Sequence, residues 1–389
     1  MKAQWTAAAA TVLPFGAAAR VEAIPAFARK YQFSCSTCHA PFPRLKPFGE
    51  AFAARGFRLE DPTQEPSRAF YDVGDPWLML PRELPLAVRL DGYASLVDSK
   101  GQTTYTDVEW PWSVKVLTGG QLTKSVSYYA YGIIEKGETL KLEDTWVQFN
   151  SIFKLPVDLM VGQFQVSDPL FKRELRLERN DYAILSLQLG HVPTNLTYDR
   201  GLVLTWHAPA GVEVVGQVVN GNGIDPPEGD RFDDNRFKAA SLRLVRSFGP
   251  VRLGVFGYRG KSGPDPGPKD TVTYLGPDVV AELSDKWQLS LCYLRRTDND
   301  PFLVGRHGSS LATKGGFAEL HFFPQGQDGR WVVTLLANRI TSDVPGVEVN
   351  NASLTVNYLL ARNFRLVAEF LRNQTTDRNT LSLGLVTAF

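Results

Sequence analysis

The chain closes on Leu381-Ser382-Leu383-Gly384-Leu385-Val386-Thr387-Ala388-Phe389. In an extended strand, Leu381, Leu383, Leu385, Thr387 and Phe389 share one face, while Ser382 and Gly384 lie on the other. One face is lipid-like and the other small and polar. The same period recurs upstream. Leu86-Ala87-Val88-Arg89-Leu90-Asp91 carries apolar residues at even positions until the aspartate, Leu242 and Leu244 alternate with Ser241 and Arg243, and Leu354, Val356 and Tyr358 alternate with Ser353, Thr355 and Asn357. Period two with one apolar and one polar face is the signature of a transmembrane barrel strand. A soluble sandwich strand also has one apolar face, so alternation alone does not separate the two.

The connections do. Sixteen strands are expected, at 84–97, 107–119, 125–137, 139–151, 156–166, 195–207, 211–221, 235–247, 251–261, 271–284, 286–296, 314–323, 330–340, 348–361, 363–373 and 379–389. Tight turns such as His207-Ala208-Pro209-Ala210-Gly211, Phe248-Gly249-Pro250, Ser284-Asp285-Lys286 and Ala361-Arg362-Asn363 alternate strictly with longer connections at 167–194, 222–234, 262–270 and 297–313. Outer-membrane barrels are built this way, with turns in the periplasm and loops outside. An even strand number puts both barrel ends on the periplasmic side, and a terminal aromatic, Phe389, is typical of such barrels. Pro277 is an irregularity within one strand, because proline gives the ladder no donor. The expected fold is all-β, a 16-stranded antiparallel transmembrane β-barrel over residues 84–389, porin-like and embedded in the outer-membrane lipid bilayer. Sixteen strands enclose an aqueous lumen rather than a packed core.

Composition excludes several other classes. The 389 residues hold 42 Lys and Arg against 41 Asp and Glu, a net charge of +1. Without a basic excess to neutralise phosphates, no nucleic-acid partner is expected. An apolar content of 43% with 11% aromatics rules out disorder, and three cysteines cannot build a disulfide framework. Apart from the Ala-rich residues 7–19, no apolar run approaches the ~20 residues of a membrane-spanning helix. Met1-Lys2, the apolar stretch from Trp5 to Ala19 and the small-x-small triplet Val21-Glu22-Ala23 are expected to form a signal peptide at 1–23, with Ile24 as the mature start. Export places the chain in the Gram-negative cell envelope.

The strongest chemical motif follows at once. Residues 35–39 read Cys-Ser-Thr-Cys-His, the spacing of c-type haem attachment. Thiols one helical turn apart reach the two vinyl groups of one porphyrin as thioethers, and the adjacent His39 lies under the iron. A zinc site would need a second ligand pair at suitable spacing, and a thioredoxin-like site a βαβ pattern; neither exists here. One covalent haem c is therefore expected in residues 24–83, a small helical segment that would plug the lumen from the periplasmic side. A short helix is expected around Gly49–Arg55, and Leu45, Phe48, Phe52 and Phe57 are expected to pack on the porphyrin. Pro41, Pro43 and Pro47 restrict the chain between the motif and that helix.

The sixth iron position has few candidates. With Met1 removed, Met79 and Met160 remain, with His191, His207, His307 and His321. Met79, 40 residues beyond His39, is the expected ligand; a thioether there would raise the haem potential, and packing is its other reading. His207 and His321 are expected as inward, hydrated histidines at the periplasmic rim, with haem ligation as their other role. Cys292, between Leu291 and Tyr293, is expected to face inward as an inert side chain. The 167–194 connection contains Lys172, Arg173, Glu174, Arg176, Glu178 and Arg179. It is expected as a solvated charged helix, the alternative being a constriction folded into the lumen.

A family resemblance accompanies these residues. Ile24-Pro25-Ala26-Phe27-Ala28-Arg29-Lys30, the motif Cys35 to His39, Phe42-Pro43-Arg44-Leu45-Lys46-Pro47-Phe48-Gly49 and Arg55-Gly56-Phe57 resemble the fused monohaem cytochrome–porin family of outer-membrane iron oxidases. The stretch Lys30-Tyr31-Gln32 departs from that family's pattern. The resemblance implies Cys35 and Cys38 as thioether sites, His39 as proximal ligand, and electron transfer from extracellular Fe(II) to a periplasmic cytochrome or other acceptor, that is, an iron(II) oxidase. An outward reductive conduit and a passive diffusion porin with a haem-bearing plug are the alternatives. Asp233, Asp234, Asp298 and Asp300 are expected as solvated loop carboxylates rather than as Fe(II)-gathering groups.

Overall fold

The computed structural model describes residues 26–61, 64–66, 69–75, 77–82, 85–100, 104–225, 231–233, 235–305 and 310–389. The expected signal peptide and Ile24 lie outside the described residues. Three short helices open the chain: α1 (Ala26–Tyr31), α2 (Cys35–Cys38) and α3 (Pro47–Ala54). A two-residue ladder, β1 (Phe70–Tyr71) with β2 (Leu80–Pro81), leads to the barrel.

The barrel strands run β3 (Leu86–Ser99), β4 (Tyr105–Gln121), β5 (Val126–Glu135), β6 (Lys141–Phe149), β7 (Val157–Gln165), β8 (Tyr198–Ala208), β9 (Val212–Val219) and β10 (Ala239–Phe248). They continue as β11 (Val251–Ser262), β12 (Asp270–Ser284), β13 (Trp287–Asp298), β14 (Leu311–Phe322), β15 (Trp331–Ser342), β16 (Val349–Ala361), β17 (Phe364–Asn373) and β18 (Arg378–Ala388). Each pairs antiparallel with its sequence neighbours, and β18 returns to β3 in a register from Ala388↔Arg89 to Arg378↔Ser99. Val88 and Phe389 exchange backbone hydrogen bonds of 2.8 and 2.9 Å at the seam. The sheet is closed, so it has no free edge.

Burial is inverted relative to a soluble protein. On β15, Thr334, Leu336, Asn338 and Ile340 are buried, while Trp331 and Leu335 are exposed. On β18, Ser382 is buried while Leu381, Leu383 and Leu385 are exposed, Leu383 by 56%. Arg296, Asp298, Glu319, His321, Thr355 and Asn357 are all fully buried within the ring. An outward apolar face around a polar interior fits hydrocarbon outside and hydrated groups inside, which decides between lipid-embedded barrel and soluble sandwich.

Each of the sixteen expected segments coincides with one barrel strand, with ends that shift by a few residues. The expected 314–323, for example, is Leu311–Phe322. Pro277 sits inside β12, paired with Val255 on one side, and the ladder to β13 passes from Leu275↔Arg295 to Asp278↔Cys292 across it. The strict alternation of connection lengths is corrected. At the end holding the long loops, β17 and β18 are joined through 374–377, whereas at the opposite, turn end β14 and β15 are joined through 323–330. Polar loops of either length leave the sheet registers intact, so length is the weaker marker of side.

Candidate functional site

The N-terminal segment sits in the lumen at the turn end. In α2, Ser34 caps the single turn by accepting from Ser36 N at 3.3 Å, and His39 N donates to Cys35 O at 2.8 Å. One closed turn puts Cys35 and Cys38 on one side with His39 directly after. The chain then doubles back: Ala40 N donates to Arg44 O and Lys46 N to Cys38 O, at 3.0 and 2.8 Å. Inside this hairpin, His39 Nδ1 lies 3.0 Å from Pro43 O and 3.2 Å from Arg44 O. Nδ1 is thereby the protonated nitrogen, and Nε2 has no hydrogen-bond partner among the described residues. Burial lowers the pKa of His39, which favours the neutral, ligating form. Burial raises the thiols of Cys35 and Cys38, that of Cys38 to about 11. Gly49 lets α3 lie on this motif, because a Cβ there would sit 2.4 Å from Cys38 O.

Aromatic and polar contacts hold the segment to the wall. Phe52 packs edge-on to Phe27 at 5.4 Å, and Phe57 stacks on Phe27 at 4.6 Å and on Trp146 of β6 at 6.0 Å. Gln148 Nε2 donates to Ala54 O at 2.8 Å, Lys46 pairs with Asp328 at 2.6 Å, and Glu50 pairs with Arg252 at 2.9 Å. Arg44 reaches furthest, donating to Gln288 Oε1 at 2.8 Å and Glu319 Oε2 at 3.4 Å.

Glu319 is a junction. It also accepts from Tyr182 Oη at 2.6 Å and lies 2.8 Å from His321 Nε2. Arg44→Ala leaves a buried carboxylate short of its cation, a loss of about 2 kcal/mol in docking of the segment, or roughly thirtyfold in its undocked population. Protease added from the turn side should cut the segment faster by that factor; an unchanged rate would remove Arg44 as an anchor.

The connection between β7 and β8 is folded across the lumen, which corrects the expectation of a solvated charged helix. It contains one 3₁₀ turn, Arg173–Leu175, and one short helix, α4 (Ala183–Ser186). Glu174 pairs with Lys115 of β4 at 2.7 Å, and Arg179 donates to Ser95 of β3 at 2.8 Å and to Ser382 of β18 at 3.1 Å. Asn180 Nδ2 donates to Asn351 of β16 at 3.0 Å, and Arg296 of β13 donates to Leu187 O and Thr194 O. Glu174 and Arg179 thus pair with the wall, while Lys172, Arg173 and Arg176 pair with Asp168 and Asp181 of the same connection. The constriction alternative is the observed one.

Within it, Asp181 accepts from both Arg173 and Arg176. Burial alone would raise this carboxyl, but the two guanidiniums outweigh it and hold the pKa below the usual carboxylate value. A carboxyl depressed by folding contributes above its unfolded pKa of about 4 and loses that contribution as pH falls through the folded value. Channel currents should therefore become noisier on acidification below about pH 4, and Asp181→Asn should be noisy already at pH 7. A quiet variant would dissociate this clamp from the constriction.

Between the segment, the wall and the constriction lies a cavity of about 720 Å³. Cys35, Cys38, His39, Leu45, Phe52 and Phe57 line it from the segment, and Trp146, Met160 and Phe164 are among those lining it from the wall. Phe48 stacks on Phe52 at 6.3 Å but is 43% exposed and does not line the cavity. Met79 is half-buried beside the β1–β2 ladder and does not line it either.

Of the two expected rim histidines, His207 is half-exposed at the turn end of β8, whereas His321 differs from its expected role. His321 is not a hydrated rim residue: it is fully buried, with Nδ1 2.9 Å from Thr334 Oγ1 and Nε2 on Glu319. His207 has Nε2 3.1 Å from Asp158 and Nδ1 3.4 Å from Glu213, so both its nitrogens are occupied. His191 packs by Phe302 in the loop region, and His307 lies outside the described residues. Cys292 is buried, as expected.

The loop carboxylates are less solvated than expected. Asp298 is fully buried against Arg296 at 2.6 Å, and Asp300 accepts from Val304 N and Gly305 N. Asp233 pairs with Lys238, and Asp234 lies outside the described residues. Among the described residues no group of three or more His, Cys, Asp or Glu is placed to hold a metal ion.

No protein-family model matches this chain, and no curated protein does. Solved structures match its fold. The chain is similar to an anion-selective porin from Comamonas acidovorans, with TM-score 0.57 and 12% identity over 79% of this chain and 99% of that one. It is similar to a loop-deletion mutant of OmpT, an outer membrane protein of Vibrio cholerae, with TM-score 0.54 and 11% identity over 78% and 99%. A porin refined at 1.8 Å resolution gives TM-score 0.52 and 15% identity over 79% and 100%. With its apolar exterior and closed ring, the chain is a sixteen-stranded porin-like barrel of the outer membrane.

Proposed function

We propose that this barrel houses one covalent haem c, in thioether linkage to Cys35 and Cys38 with His39 as proximal ligand. On this reading electrons pass between an extracellular donor, Fe(II), and a periplasmic redox partner. The observation that carries it is the pairing of the C-x-x-C-H turn with a histidine whose Nδ1 is tied to two carbonyls. Outer-shell bonds of that kind orient a ligating imidazole and leave Nε2 for the iron. The residues around it also fit the group: an apolar cavity of suitable size, with Ser290 Oγ and Arg252 Nε buried in its lining without partners, as donors for carboxylates.

The haem, when bound, supplies a one-electron carrier. The chain supplies ligation and burial, which set the potential, and excludes bulk flow. On this reading the site lies on the periplasmic side, where the N-terminal segment docks at the turn end, and the donor approaches from the loop end. Mixing purified ferric protein with Fe(II) anaerobically should give one equivalent of reduced haem per chain. Pigmented protein that stays oxidised at every pH where iron is soluble would remove Fe(II) as donor and leave a conduit of other direction. The fold likeness to porins favours a second reading, a diffusion porin with a plugged lumen, and that reading predicts no such reduction.

A further inference from the structure

We infer that the sixth ligand to the haem is Met160 of the barrel wall, so that the axial pair is divided between the N-terminal segment and the barrel; this rests on the haem reading above. Met160 faces inward on β7, between the outward Leu159 and Val161, and lines the cavity that His39 lines. Among the described residues of that lining, His39 is the one histidine and Met160 the one thioether. The amines there are engaged: Lys115 pairs with Glu174 and Lys172 with Asp168, each at 2.7 Å.

The hairpin that carries His39 is anchored on the wall opposite Met160. Arg44 ties the His39 hairpin to Gln288 of β13 and Glu319 of β14, nearly across the ring of strands from β7. At Met160 itself, the register neighbours are Gln148 and Val203, and Gln148 bonds the end of α3. Met160 therefore sits at the level where the segment docks. Met79 sits outside the cavity.

The consequence is a barrel that completes the coordination of a haem carried by its own leader segment. A low-spin ferric haem with His and Met ligands shows a weak sulfur-to-iron charge-transfer band at the red end of its spectrum. Purified wild-type protein and Met79→Leu should both show the band; in the latter Met160 is the one methionine left in the mature chain. Met160→Leu should lose it, turn high-spin, bind added cyanide faster and shift to lower potential. Heat-modifiable migration on a denaturing gel checks that each variant forms the barrel.

A band that survives Met160→Leu, or disappears in Met79→Leu, overturns the inference. So does wild-type protein with covalently retained haem and no band. If Met160→Leu fails to form a barrel, the band in Met79→Leu decides by itself. Absence of retained pigment in all of them is a different outcome, the failure of the haem reading.

Discussion

Denatured mature protein will expose one titratable thiol, not three. The chain holds Cys35, Cys38 and Cys292, all free thiols in the polypeptide alone. On the haem reading, two thioether bonds consume Cys35 and Cys38 and leave Cys292, which is buried in the wall between its register partners Asp278 and Phe317. A maleimide should therefore label one site after unfolding and none before it. Cys35→Ser with Cys38→Ser should abolish covalent pigment outright on a peroxidase-stained gel while the barrel still forms, because no wall contact given above uses either sulfur. Three labelled thiols in unfolded wild-type protein would end the haem assignment.

Removing the segment should open the pore. Deletion of residues 26–61 takes away Phe57 from Trp146, Arg44 from Glu319 and Lys46 from Asp328, and empties the turn-end mouth. The closed ring of strands does not depend on it, since β3 to β18 pair only with one another. Single-channel conductance in a planar bilayer should rise many-fold, to steps limited by the β7–β8 constriction alone. Equal conductance with and without the segment would mean that it does not restrict flow, and would favour diffusion through the barrel as the main role.

What was legible beforehand follows from how each feature is encoded. The strands were readable because lipid on one side and lumen on the other impose a period of two that runs through every segment, from Leu86 to Phe389. The attachment motif was readable because c-type attachment needs two thiols for the thioethers and an imidazole for the iron within five consecutive residues. Neither depends on distant contacts.

The rest did. Glu174 and Arg179 look the same in sequence whether water or Lys115, Ser95 and Ser382 receive them, and only ring closure brings strands so far apart in the chain onto one loop. His321 reads as a rim residue until Arg44 and Tyr182 arrive at Glu319 and seal it. Position along the chain favours Met79, nearer the motif, and only the fold brings Met160 to the cavity that His39 lines. Local order assigned this protein a membrane-spanning sheet and a C-x-x-C-H turn, while long-range closure determined which wall that turn faces, because packing across a lumen joins residues that no sequence window contains.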